Sequence, residues 1–165
     1  MKKRATVEEL IELYGMKPHP EGGYYQETYR ASGKISGLDR NFSTAIYYLL
    51  PGGARSRLHR LKWDELFHFY LGDPLILVKI APDGKVEKIR LGRDVLSGCV
   101  LQHVIPAGTW FGAYPDAGAE YCLIGCTVAP GFDFADFEVG KRSALLKLFP
   151  KARPVIERLM PQEKP

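Results

Sequence analysis

The sequence predicts an all-β fold, a double-stranded β-helix in which the two sheets of a jelly-roll barrel face each other, with one short helix before it and short helices after it. Two observations carry this. Eight short segments rich in Tyr, Val, Ile, Thr and Phe follow one another between residues 24 and 138, which is strand composition. Gly, Pro and Asp separate them without helical periodicity in between, so turns rather than crossover helices join the strands. The chain has 165 residues, the size of one domain. No repeat, linker or low-complexity stretch divides it, so residues 1–165 are read as one unit: helix at 6–14, barrel at 20–140, terminal helices at 143–160.

The first helix spans Thr6 to Tyr14. Thr6 and Glu9 have capping-box spacing, Val7, Leu10, Ile11 and Tyr14 share a face, and Gly15 suits the end. Its apolar face is expected to pack on the outside of the barrel. The candidate strands are Tyr24–Arg30, Thr44–Leu50, Glu65–Leu71, Leu75–Ala81, Lys85–Leu91, His103–Ile105, Tyr121–Val128 and Phe134–Glu138. Pro51-Gly52-Gly53 and Gly72-Asp73-Pro74 break the run, and Asp83-Gly84 is a hairpin signal. Ser143–Phe149 and Pro154–Leu159 return to helical pattern.

Composition narrows the function classes. Hydrophobic residues are 45% and charged residues 25% of the chain, ordinary for a soluble globular protein. Apolar runs such as Ala45–Pro51 are too short to cross a bilayer. The opening Met1-Lys2-Lys3-Arg4 is followed by Glu8, Glu9 and Glu12 instead of an apolar segment, so no export signal is expected and the location is taken as cytoplasmic. The net charge is +4, but 23 basic residues are scattered among 19 acidic ones without a basic stripe, so neither nucleic acid nor membrane is expected as a partner. Cys99, Cys122 and Cys126 fall in apolar stretches without zinc spacing and read as buried free thiols. No Ser-His-Asp or Cys-His signature appears, and Gly22-Gly23 and Gly52-Gly53 do not open helices as phosphate loops do.

The most specific stretch runs from Gly53 through His59, Leu61 and Glu65 to Gly72. Residues two apart on a strand share a side, and a hairpin returns the glutamate beside the histidine on the barrel interior. The stretch resembles the first motif of the cupin superfamily, with Leu61 where that motif carries its second histidine. Pro106-Ala107-Gly108 resembles the core of the second motif, with Phe111 at its histidine position. The segments His19–Tyr25, Ser43–Leu50, Asp64–Gly72 and Gly125–Phe132 are similar to one cupin family, long catalogued as a domain of unknown function and called the fifth cupin type. That resemblance implies an RmlC-like jelly roll, a homodimer and no settled activity. Two of the four usual metal ligands are missing, and strand parity turns His68 away from Glu65. No cofactor is assigned; a divalent metal on His59 and Glu65 is the one candidate the resemblance raises.

The candidate catalytic residues are His59 and Glu65, read as an acid and base pair. Candidate ligand-binding residues are Gln26, Glu27 and Arg30, on a strand unusually polar for one that covers a core, and Ser43, Ser56, Gln102 and Trp110 near strand ends. Strict alternation places Tyr25, Glu27 and Tyr29 on one face and Tyr24, Gln26 and Arg30 on the other, without deciding which looks inward. The expected partner is a small polar metabolite such as a carbohydrate or sugar-nucleotide derivative, and the expected reaction a metal-independent isomerisation or epimerisation. A metal-dependent oxygenase or isomerase using His59 and Glu65, and a non-catalytic ligand-binding or sensor protein, stand as the alternatives.

Overall fold

The computed structural model describes residues 4–162, so the basic Met1-Lys2-Lys3 considered above lies outside the described residues. Helix α1 (Val7–Tyr14) starts at the expected capping box: the Thr6 hydroxyl accepts from the Glu9 N–H, and the Glu9 carboxylate accepts from the Thr6 N–H at 2.8 Å. Gly15 ends it with φ 59°, a left-handed conformation that glycine reaches without steric cost.

Among the described residues eleven strands follow: β1 (Lys17–Pro18), β2 (Tyr24–Arg30), β3 (Thr44–Pro51), β4 (Ser56–Leu61), β5 (Glu65–Gly72), β6 (Leu75–Ile80), β7 (Val86–Leu91), β8 (Gln102–Ile105), β9 (Trp110–Pro115), β10 (Tyr121–Val128) and β11 (Phe137–Val139). They form two antiparallel sheets, one ordered β1-β2-β3-β10-β5-β8 and the other β11-β4-β9-β6-β7. The jelly-roll reading holds, as two facing sheets rather than one continuous barrel. Connections that cross between sheets make it so: β3 passes to β4, and β4 to β5, from one wall to the other, so the turn between His59 and Glu65 is a crossover and not the hairpin expected above.

Seven of the candidate strands match observed ones to within a residue or so at their ends, and the Asp83-Gly84 hairpin joins β6 to β7. The eighth is corrected. Phe134–Asp136 is a single 3₁₀ turn, and only Phe137–Val139 is strand. The Asp133 side chain accepts from the Ala135 N–H and so caps a turn where composition suggested extension. Strands β1, β4 and β9 were absent from the candidates. β4 carries Arg57, His59 and Arg60, too polar to announce itself as a strand, and β9 is buried throughout and therefore lacks alternation.

The layers outside the sheets are helical. α1 lies on the six-stranded sheet, where Leu10 and Met16 pack with Leu49, Tyr121 and Leu123. α2 (Arg142–Leu148) and α3 (Arg153–Leu159) cover the five-stranded sheet, and Leu145, Ile156 and Leu159 bury Leu58, Val78 and Trp110 beneath them. Between the sheets, Leu50, Phe67, Leu75, Leu77, Ile105 and Ile124 fill one end of the interior. Each fully buried leucine there contributes about 2 kcal/mol of burial energy. All three cysteines are free and buried. Among the described residues no helix is long and apolar enough to cross a membrane.

Candidate functional site

The other end of the interior is hollow. A cavity of about 290 Å³ opens there, walled by Tyr25, Glu27 and Arg30 of β2, by Thr44, Ile46 and Tyr48 of β3, and by Glu65 and Cys126 on the same sheet. Its opposite wall is His59 and Leu61 of β4 with Phe137 of β11, and its rim is formed by His19, Glu21 and the segment 132–134.

Glu21 reaches the cavity because the chain turns sharply after it. Gly22 and Gly23 have φ of 116° and 70°, and a Cβ on Gly22 would stand 2.1 Å from the carbonyl oxygen of Arg55. No side chain is compatible with that approach. The loop is fastened on both sides: the Arg57 N–H donates to the Glu21 carbonyl at 2.8 Å, and the Tyr48 hydroxyl donates to the Gly22 carbonyl at 2.7 Å. These contacts fix the Glu21 carboxylate with Oε1 accepting from the Ser56 hydroxyl at 3.0 Å and Oε2 lying 3.0 Å from His59 Nε2.

The hydrogen bond of His59 fixes its tautomer. Nδ1 lies 2.7 Å from the Arg57 carbonyl oxygen. A carbonyl has no hydrogen, so Nδ1 must be the donor. Nε2 faces Glu21 Oε2 at 3.0 Å, close enough for an ion pair whenever the ring carries a second proton. The two residues form a buried dyad packed against Phe111, whose ring centroid is 4.1 Å from that of His59.

Glu65 is the other buried acid, only 8% exposed. Burial, reinforced by the charge of Glu21 and opposed by a hydrogen bond from Cys126, pushes its pKa up to about 8. At neutral pH it is a carboxylic acid, a donor as well as an acceptor. Its Oε2 is buried and has no partner among the described residues. The Cys126 thiol beside it is pushed well up, by burial first and then by Glu65, so it is not a nucleophile at neutral pH.

His19 completes the rim as a neutral ring. Its Nδ1 accepts from the Glu21 N–H at 3.2 Å, which places its own proton on Nε2, and burial lowers its pKa. The 3.7 Å approach of Nδ1 to Glu21 Oε2 is therefore proximity without an ion pair. Aromatic rings surround it, Tyr25 at 4.8 Å edge-on and Phe134 at 6.2 Å stacked.

Glu27 and Arg30 both line the cavity, which strict alternation along β2 forbids. Register against β3 shifts between Glu27 and Tyr29, so Thr28 is an extra residue. A bulge of this kind reverses facing beyond it: Tyr29 turns out, 55% exposed, and Arg30 turns in. The guanidinium then forms a two-point pair with Glu27 at 2.9 and 2.7 Å and also donates to Asn41 and the Phe132 carbonyl.

The structure thus brings together His59, Glu65, Glu27 and Arg30, with Ser56 behind them holding Glu21. His59 takes its carboxylate partner from Glu21; no hydrogen bond joins it to Glu65, which lies on the opposite sheet. The other candidates lie elsewhere. Gln26 pairs with Tyr47 and bonds to its own strand. Ser43 donates to the Val128 carbonyl. Gln102 is exposed on β8 opposite His68. Trp110 is buried beneath the terminal helices under the Arg60 guanidinium. Sequence reasoning passed over Glu21, His19, Tyr48 and Asp133. For Glu21 the available signal was the following Gly22-Gly23, whose tight turn can aim the preceding side chain into a barrel.

The residues present do not fit the divalent metal that a cupin resemblance raises. Leu61 and Phe111 stand where two histidine ligands would, and His59 and Glu65 alone are too few for a transition-metal site. Among the described residues no group of three or more His, Cys, Asp or Glu side chains is placed to hold a metal ion.

Comparison with known proteins agrees with this architecture. Residues 8–140 match the family model described as Cupin superfamily (DUF985). The Saccharomyces cerevisiae protein YML079W is 32% identical over 149 residues, covering 80% of this chain and 74% of its own. Protein SO0799 from Shewanella oneidensis superposes with a TM-score of 0.91 at 33% identity, covering 97% of this chain and 100% of that one. A hypothetical protein from Leishmania major superposes with a TM-score of 0.87 at 35% identity, covering 94% and 98%.

Proposed function

Because the chain belongs to the DUF985 family of the cupin superfamily, we propose that its hollow sheet interior binds a small polar metabolite and moves a proton on it without a metal. The observation that carries this reading is the 3.0 Å approach of His59 Nε2 to Glu21 Oε2 in the same cavity as the buried carboxyl of Glu65, whose pKa is pushed up to about 8. Two groups with opposite proton appetites on facing walls are the requirement of paired general acid and base catalysis.

The dyad offers two basic atoms to one proton, so it can take a proton from carbon next to a carbonyl. The electron pair of that C–H bond moves into an enol, whose oxygen receives the Glu65 proton. The dyad gains one positive charge as Glu65 gains one negative, so no net charge is created in the buried site. Return of the proton to the other face, or to the neighbouring carbon, gives an epimer or an isomer.

Cavity size bears on the substrate. Ligand pockets span roughly 300–1,000 Å³, and about 290 Å³ suits one sugar-sized hydroxy-carbonyl compound. A nucleotide attached to such a sugar would lie outside. Pairing of two copies belongs to the same reading: Tyr70 and Val104, 47% and 42% exposed on the outer face of the six-stranded sheet, suit an interface. Sedimentation would test it.

The test of the reaction is solvent exchange. A panel of aldoses and ketoses is incubated with the protein in deuterated water, and deuterium at carbon is read by mass spectrometry. Wash-in that His59→Asn abolishes is the expected result. Binding without wash-in by any member would overturn the catalytic reading in favour of a ligand-binding or sensor protein.

A further inference from the structure

The rim of the cavity is charged in a way the proton chemistry does not use. Arg30 is the arginine in the lining, and Glu27 already neutralises it at 2.7 Å. His19 is a neutral ring, and Glu65 keeps its proton. Asp133 gives the lining one carboxylate beyond the Glu27–Arg30 pair, within electrostatic reach of Arg30 and Arg40 but with no side-chain ion pair of its own. The next guanidinium, Arg40, lies behind the rim, in a two-point bond to Asp136. Beside Asp133, Phe134 is 51% exposed, its ring stacked with His19 at 6.2 Å and braced by Phe132 at 5.0 Å and Phe137 at 6.0 Å. An aromatic ring partly open to solvent next to a carboxylate is the arrangement that recognises organic cations.

Acidic groups alone would not make a ligand site. Here a second feature points the same way: Glu65 Oε2, in a side chain more than nine-tenths buried, lines this cavity without a partner. A buried polar atom left unpaired is costly unless something completes it. A ligand that seats its polar ring against Glu65 leaves its outer end at Asp133 and Phe134.

We infer that the molecule this cavity accepts carries a protonated amine, held at the rim by the Asp133 carboxylate and the face of Phe134. The inference rests on the reading of the cavity as a small-molecule site and adds the charge of its occupant. An anionic occupant, such as a sugar bearing phosphate groups, would meet Asp133 with no free cation in the lining to offset it.

The test compares probes of like size and different charge. Titration calorimetry measures N-methylglucamine against sorbitol and cyclohexylamine against cyclohexanol, with native protein and two variants. Each amine is expected to bind about 10-fold more tightly than its alcohol, a difference of about 1.4 kcal/mol. Asp133→Asn, which keeps the side-chain oxygen that caps the 134–136 turn, should remove that preference and leave the alcohols unchanged. Phe134→Leu should weaken the amines alone by about 3-fold. Equal binding of amines and alcohols, or no binding of either amine up to roughly 10 mM, overturns the inference. Deuterium exchange separates it from the catalytic reading: amines that bind through Asp133 with no exchange on any sugar leave the inference standing and remove the chemistry. Exchange on neutral sugars without amine preference does the reverse.

Discussion

The carboxylate of Glu21 and the imidazole of His59 stand 3.0 Å apart, and the second imidazole nitrogen is fixed by the Arg57 carbonyl. Removing the carboxylate strands both His59 Nε2 and the Ser56 hydroxyl in a buried wall. Glu21→Ala should cost ~3 kcal/mol in urea denaturation, whereas Glu21→Gln, which can still bond both neighbours, should cost ~1 kcal/mol. In the Gln variant solvent exchange should disappear while His59 keeps its Nδ1 proton by nitrogen NMR. An alanine variant as stable as native protein would refute the dyad.

Glu65 makes stability depend on pH in an unusual direction. Its folded pKa, about 8, lies above the ordinary 4.5, so between those values the unfolded chain releases the proton first. Stability should fall as pH rises from 4.5 to 8 and level off beyond, with up to ~5 kcal/mol at stake for a shift of this size. Glu65→Gln should flatten that window in denaturation curves recorded across it. Exchange activity, which needs the proton in place, should decline as pH rises through about 8. A native curve that rises steadily over the same range would exclude a neutral Glu65.

Two glycines with left-handed backbones provide a matched test. At Gly15 a Cβ would meet open space, and at Gly22 it would stand 2.1 Å from a backbone oxygen. Gly15→Ala should cost ~1 kcal/mol, the conformational term alone. Gly22→Ala should cost ~3 kcal/mol or more, because backbone must move, and exchange should be lost with it. Similar midpoints for both variants in thermal melts would show that the loop before β2 is not rigidly held.

Asp136 ties the rim to the body of the protein. It accepts from Arg40 at 2.6 Å and 3.1 Å and from Trp63 Nε1 at 2.9 Å, with its side chain 7% exposed. The Arg40 hydrogen bond, helped by Trp63, holds its pKa below the ordinary 3.8. Its contribution is therefore complete above pH 3.8 and lost as pH falls through the lower folded value. Asp136→Ala should cost ~2 kcal/mol at pH 7, since it removes the bonds from Arg40 and Trp63, and should weaken ligand binding by loosening the 134–136 turn. Asp136→Asn should blunt the acid limb of the stability curve. An unchanged acid limb in that variant would assign the acid sensitivity to other carboxylates.

Most of the fold was legible because its signals are local. The capping box of α1, the turn at Asp83-Gly84 and the alternating or apolar runs of β3, β5, β6 and β10 each specify themselves within a few residues. β4 and β9 did not, since what makes them strands is their place between neighbours: β9 is covered on both faces and β4 carries the charges that the site uses. The site was legible at His59 and Glu65, where motif spacing showed it. Glu21 was hidden because its role depends on a loop delivered across to β4. The clustering of Glu27 with Arg30 was hidden because alternation assumes a strand without an extra residue.

That extra residue has a further meaning. Thr28 makes the inward set of β2 a matter of odd and even count: with it looped out, Glu27 and Arg30 meet across three positions, and without the loop a strand of the same composition would offer Tyr29 to the interior and its guanidinium to water. Shortening the chain by Thr28 would thus preserve the pair as ordinary alternate neighbours, while one more residue beside it would evict the cation. The charge of this cavity is encoded partly in segment length, and relatives that differ by a single insertion in this strand could keep every lining residue and still select a different ligand.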